Sequence, residues 1–465
     1  MSSLTLDFTN CLASSIGATH GLTDGEIDTL VAKFPKHHES MEEIRNTKES
    51  LFFDLPYEDP TPIKDLAKKY TKGFENLVVI GIGGAAEGPR ALLGSLLPAS
   101  WNLLSAKDRR NNPRGFVVSN ADPASINDLL GALDLKKTCF QVISRSGATV
   151  ETMAVTLWLI DLLKTKVGKT APAKHLVIST NPDSSPLVTV AEADKIPVID
   201  IPANIADRFN TFGPASLFSA ALCGIDIDAL LAGAQAMDKR CRMDRAMQNP
   251  AYMHSLVHYL LTRKRRKTIH AMVAFADRLE IISHWYDHLL AVSLGKMLNK
   301  KGKAVHVGPG PASCVGPSAC YGQLQLYLEG PYDKVTTFLV TKDHHADITA
   351  PVVTKAGEQL DFLSKASLAT IIDQAYVGVA QTITASGRPN LTVILDDISP
   401  HSIGGLLFML QLSTVMSAEL YGIDPFDQPG IDSNKQAVYA QMGRSGFEDR
   451  ATALAEYRNR SLRTC

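Results

Sequence analysis

The feature that most constrains this chain is a repeated alternation of short, wholly apolar runs with longer segments of helical period. NLVVIGIG (76–83) ends in glycines, and GFVVS (115–119), FQVIS (140–144), HLVIST (175–180) and IPVIDIP (196–202) follow, with helical patterns at 124–134 and 149–167. Runs without polar alternation suit strands buried on both faces, as in a parallel sheet covered by helices. After an all-helical stretch, 214–262, the alternation restarts. TIHAMVAF (268–275) leads into a helix over 280–298, and a helical segment at 318–330 precedes KVTTFLVT (334–341). A helical region at 357–386 precedes LTVILDD (391–397) and a helix over 402–423. The pattern predicts the α/β class, with two doubly wound parallel-sheet domains of three layers, α/β/α, in one chain. The expected divisions are a helical N-terminal arm over 1–55, a first domain over 56–225, a second over 226–445 and a C-terminal tail over 446–465.

Charge and cysteine usage narrow the function classes. Forty-seven Lys and Arg against 48 Asp and Glu leave a formal net charge of -1. No overall basic field exists to hold nucleic acid or an anionic membrane surface. The run Arg263–Lys267 reads as a solvated helix end before a strand, where cations suit the helix dipole. Seven cysteines without a C-x-x-C pair argue against a disulfide framework or a structural zinc and fit a reducing cytoplasm. The N-terminus shows no signal-peptide pattern. GGLLFMLQLSTVMSAELYG (404–422) is interrupted by Gln411, Ser413, Ser417 and Glu419, so it reads as a buried helix rather than a membrane span.

Two loops carry the chemistry. Gly81-Ile82-Gly83-Gly84-Ala85-Ala86-Glu87-Gly88 follows a buried strand, where glycines let the backbone approach a ligand and the next helix N-terminus favours an anion. Gly81, Gly83 and Ala86 also satisfy G-x-G-x-x-A. However, a nicotinamide site wants an acid at the end of the second strand, and the nearest is Asp122, beyond that end. No cofactor is expected. Ser144-Arg145-Ser146-Gly147-Ala148-Thr149-Val150-Glu151-Thr152 stands between the next strand and helix. A simple N-cap needs one hydroxyl. Ser144, Ser146 and Thr149 beside Arg145 point instead to a phosphate or similar anion at the helix N-terminus.

These motifs, with FADRL (275–279), GQLQLYLEGPYDKV (322–335) and GIDPFDQPGIDSNK (422–435), occur in the order found in glucose-6-phosphate isomerases. The resemblance runs from LDFTN near the start to YAQMG at 439–443. It implies two sugar isomerase domains, a sugar phosphate as the small-molecule partner, no metal, and active sites at a homodimer interface. It also implies that Gly83, Gly84, Ser144, Arg145, Ser146, Thr149 and Gln428 bind substrate. Arg208 then stabilises the enediolate, and Lys435 is an active-site lysine. Glu151 also matches, although a helix-facing salt bridge explains it equally well.

The chain departs from the family where protons move. The A-E-S-L-G-K motif, whose glutamate is the base, here reads Ala291-Val292-Ser293-Leu294-Gly295-Lys296. The ring-opening histidine that the partner subunit contributes is replaced by Tyr321. Ala85 stands for a serine in the glycine loop. His288, four residues before Val292, falls on the same helix face and is a candidate substitute base, with Glu87 as a second. Two readings follow. One is an aldose–ketose isomerase in which His288, Glu87 or Tyr321 supplies the altered proton chemistry. The other is a catalytically silent sugar-phosphate-binding protein serving as sensor or regulatory subunit.

Overall fold

The computed structural model describes residues 4–47, 51–183, 185–352, 358–461 and 463. Two five-stranded sheets dominate. In the first, strands Asn76–Ile80, Arg114–Val118, Thr138–Ile143, Leu176–Thr180 and Val198–Asp200 are all parallel. Their spatial order places the strand from 76 second, between those from 114 and 138, with those from 176 and 198 beyond. That is the doubly wound order 2-1-3-4-5. Strands from 76, 138 and 176 are buried throughout, as runs covered by helices on both faces require.

The second sheet repeats this order. Strand Ile269–Ala274 lies between Gly310–Val315 and Lys334–Thr341, with Asn390–Leu395 beyond, all parallel. One more strand closes its edge. Leu4–Asp7 pairs antiparallel with Asn390–Leu395, Leu4 opposite Leu395, so the stretch expected as a helical arm starts as part of the second sheet. Most other described residues of that stretch are helical, with Thr23 and Glu26 forming a capping box at helix Asp24–Val31.

Three further strands were not expected. Gly310–Val315 carries Gly, Pro, Ala and Ser and only one β-branched residue, so no apolar run announces it. Lys296–Leu298 and Ala304–Val307 form a small antiparallel pair where the sequence suggested a helix to 298; the helix ends at Leu294. Beyond 445, helix Glu448–Arg458 lies against helix Pro429–Gln441, where Arg450 donates to Ser433 and Gln436.

Helix Pro400–Tyr421 is long and apolar enough to cross a membrane, but 89% of its most apolar window is buried inside the protein. Ser399 caps it by accepting from the Ser402 N–H, Pro400 opens it, and Gly422 stops it in the left-handed region. The basic run reads only partly as expected. Helix Pro250–Arg265 does end there, yet Lys267 is fully buried and Arg265 is paired with Glu26.

Candidate active site

In a sheet of order 2-1-3-4-5 the ligand crevice opens between the first and third strands, outside their carboxyl ends. Strands Asn76–Ile80 and Thr138–Ile143 flank that point, and they run into the glycine loop and the hydroxyl loop. Helices Gly84–Leu96 and Val150–Lys166 begin there, so unpaired N–H groups of two helix N-termini converge on one spot. Thr149 is the N-cap of the second helix, yet its side chain makes no capping bond. Its hydroxyl remains available.

A cleft with about 190 Å³ of free space lies at this point. The loops of the first sheet and the segment after it supply Gly83, Gly84, Ser144, Thr149, Glu151, Thr152, Asp207 and Arg208. Helix Asp277–Leu294 adds His288 and Val292, and helix Pro429–Gln441 with its N-cap adds Gln428, Ile431, Asn434 and Lys435. The Thr152 hydroxyl oxygen is buried with no partner among the described residues. A buried orphan of this kind costs stability unless something fills it. A larger groove of about 700 Å³ runs along strand Val198–Asp200. Its lining carries Glu58, Asp59, Asp183 and Asp200 and no cationic side chain, the wrong sign for an anionic ligand.

Arg208 is the most constrained group in the cleft. It is buried, and its Nε donates to Ser293 Oγ at 2.9 Å. Nη1 donates to Gln428 Oε1 at 3.1 Å, while Nη2 donates to the carbonyls of Pro425 and Asp427. Burial lowers its pKa to about 10, which still leaves a full positive charge at neutral pH. The buried Lys296 steadies the same loop, donating to the carbonyl and carboxylate of Asp427. Ser293 and Lys296 of the A-V-S-L-G-K stretch are therefore structural supports for the guanidinium.

His288 packs against the glycine loop. A Cβ placed on Gly84 would meet His288 Nε2 at 3.3 Å and the Arg208 backbone nitrogen at 3.1 Å, so a larger residue would press on both neighbours. Burial depresses the imidazole's basicity, with Glu87 opposing that shift and Arg208 adding to it. Glu87 itself is buried, lies outside the cleft lining and pairs with Arg90 at 2.9 Å. Val292 lines the cleft one turn after His288.

Three of the expected residues stand elsewhere. Arg145 is held by the carbonyl of Ala203 and by Asp207, at 2.6 and 3.3 Å, and does not line the cleft. Ser146 is exposed and accepts from the Ala148 N–H at 3.3 Å. Tyr321 stands 92% exposed on helix Ser318–Glu329, away from the cleft of its own chain. The site instead includes Ile431 and Asn434, which the i, i+3, i+4 spacing from Gln428 through Lys435 places on one helix face. Tyr439, one turn on from Lys435, donates to the Ala148 carbonyl at 2.7 Å and ties this helix to the hydroxyl loop.

Comparison with known proteins points to one family. The family described as phosphoglucose isomerase matches residues 65–449. A glucose-6-phosphate isomerase of Carboxydothermus hydrogenoformans is 35% identical over 450 residues, covering 96% of each chain. One from Rubrobacter xylanophilus is 33% identical over 375 residues, 81% of this chain and 84% of that protein. Among solved structures, a hypothetical protein of Thermus thermophilus superposes with a TM-score of 0.80 at 26% identity, covering 95% of this chain and all of that one. A glucose-6-phosphate isomerase of Chlamydia trachomatis shares the fold at TM-score 0.72 and 20% identity, over 86% of this chain and 75% of that one.

Proposed function

The chain belongs to the phosphoglucose isomerase family, and from that premise we propose that it interconverts an aldose phosphate and its ketose, with glucose 6-phosphate and fructose 6-phosphate as the pair. The observation that carries this reading is Arg208, a desolvated guanidinium fixed by four hydrogen bonds at the edge of a small cleft. Isomerisation takes a proton from C2 of the open-chain aldose, leaves an enediolate and returns a proton to C1. A fixed cation beside the developing oxyanion stabilises that intermediate more than the substrate. Ser144 and Thr149, with the N-termini of two helices, favour the phosphate. Lys435 adds charge, Gln428 holds Arg208, and His288 handles protons on the sugar hydroxyls.

A homodimer and a cytoplasmic location go with this reading. Tyr321 and Leu326 are exposed on helix Ser318–Glu329, and Leu368, Ile371 and Val377 are exposed on the neighbouring helix Leu368–Ala385. An apolar face of this kind suits a second copy that takes Tyr321 towards its own cleft. The test is a coupled assay for interconversion of the two hexose phosphates, with calorimetric binding of both in parallel. Turnover in both directions is the expected result. Binding without turnover overturns it in favour of a sugar-phosphate sensor, the role that Val292 in the cleft suits.

A further inference from the structure

We propose that Glu151 is the catalytic base that takes the carbon-bound proton in this reaction. The proposal rests on the isomerase reading above and supplies what that reading lacks, an acceptor for the C2 proton.

Val292 has no lone pair to offer, so another group lining the cleft must serve. Four candidates line it: Asp207, Glu151, His288 and Lys435. Asp207 is committed to Arg145. Lys435 is a hydrogen-bond donor and already lies 3.9 Å from Asp432. His288 is half-buried and packed on Gly84, a setting whose desolvation weakens it as a base. A neutral imidazole of that kind suits proton exchange among the sugar's hydroxyls. Glu87 lies outside the cleft lining and is held by Arg90.

Glu151 has none of these commitments. Among the described residues it makes no ion pair and no side-chain hydrogen bond, although Arg208, Lys435 and His288 line the same cleft. It stands in the first turn of helix Val150–Lys166, next to Thr152, whose buried hydroxyl oxygen is unpartnered. Both features leave room for a bound sugar at this wall. In the step itself the C2–H bond breaks and its electron pair becomes the enediolate. The C2 proton passes to a Glu151 carboxylate oxygen, the O2 hydrogen passes to O1 by way of His288, and the resulting carboxylic acid returns its proton to C1 as the C2 carbonyl forms. No oxidant, metal or second substrate is consumed.

The test compares wild type, Glu151→Gln and Glu151→Asp in the full chain. Three quantities are read: turnover, binding of fructose 6-phosphate by calorimetry, and deuterium entry from D2O at carbon during isomerisation. Glu151→Gln is expected to lower turnover and deuterium entry together by about 10²–10⁴-fold, the usual range for losing an acid–base group, with binding retained. Glu151→Asp is expected to keep an intermediate rate, which shows that the carboxylate and not the fold is at issue. Wild-type turnover in Glu151→Gln overturns the assignment and leaves the isomerase reading standing. Loss of binding in step with turnover overturns it too, since Glu151 would then be a ligand contact. A wild-type chain that binds the sugar but neither turns it over nor exchanges deuterium overturns both.

Discussion

The hydroxyl of Ser293 accepts the Nε hydrogen of Arg208 at 2.9 Å, although the residue beside it in sequence, Val292, offers no polar group at all. The two neighbours serve different ends. Position 292 faces the cleft, whereas position 293 aims a guanidinium from the other domain into it. Ser293→Ala leaves a buried charged donor without its acceptor and frees the side chain to tilt. The expected outcome is a fall in kcat of about 10-fold with KM little changed, since misaiming costs the transition state most. Arg208→Lys removes the fork and should cost about 10²–10³-fold. Steady-state kinetics on both variants check the ordering.

Gly84→Ala tests the contact between the glycine loop and His288. The added methyl carbon meets Arg208, Asp207 and His288 at 3.1–3.3 Å, so one of them must yield. A loss of about 10²-fold in turnover is expected from displacement of reacting groups. Circular dichroism and melting temperature should stay near those of wild type.

Arg145 is occupied by Asp207 and by the Ala203 carbonyl. Arg145→Gln is therefore expected to change KM by less than about 5-fold, the scale of a partly exposed ion pair. Ser144→Ala, which removes a buried hydroxyl from the cleft itself, should raise KM more than Arg145→Gln does. The reverse order would place Arg145 on the substrate.

A column of three buried histidines sets the response to acid. His254 and His258 lie 4.5 Å apart between ring centres, and His258 and His270 lie 4.4 Å apart. Burial lowers all three, His254 to about 4 and His270 to about 3, and the charges of His254 and His270 further disfavour protonation of His258. The unfolded chain binds these protons near pH 6.5 and the folded one does not, so their neutral forms favour folding above 6.5. That contribution is lost as pH falls from 6.5 towards about 4. His254→Leu should flatten the loss. Ser413, its partner at 2.8 Å, can turn to the carbonyl of Met409 on its own helix. Urea midpoints at pH about 7.5 and about 5 read the difference.

Much of this architecture is legible in the sequence because buried parallel strands need unbroken apolar runs. Val78, Phe140 and Ile178 sit in such runs. Gly310–Val315 escapes because an edge strand of small residues carries no such run, and Leu4–Asp7 is too short to show a period. In the cleft, Arg208, Gln428, Lys435 and the hydroxyl loop are visible as motifs. Arg145 illustrates the limit. Its place in the loop suggests an anion, but its partner Asp207 comes from a segment some way along the chain, and only tertiary structure brings them together. Glu151 is the converse: its candidate salt bridge is absent among the described residues, which is what makes the carboxylate available.

Strand Leu4–Asp7, set against Asn390–Leu395, also bears on how the chain is made. Synthesis is vectorial, so this strand has no partner until Asn390–Leu395 has followed it out of the ribosome. The first sheet, built from residues 76–200, is complete long before that and can assemble while translation continues. The cleft must wait as well, because Gln428, Asn434 and Lys435 emerge later still. A nascent chain stalled short of residue 390 should hold a folded first domain, an unmatched amino-terminal strand and no ligand-binding capacity, so these contacts between distant parts of the sequence set the order of biogenesis.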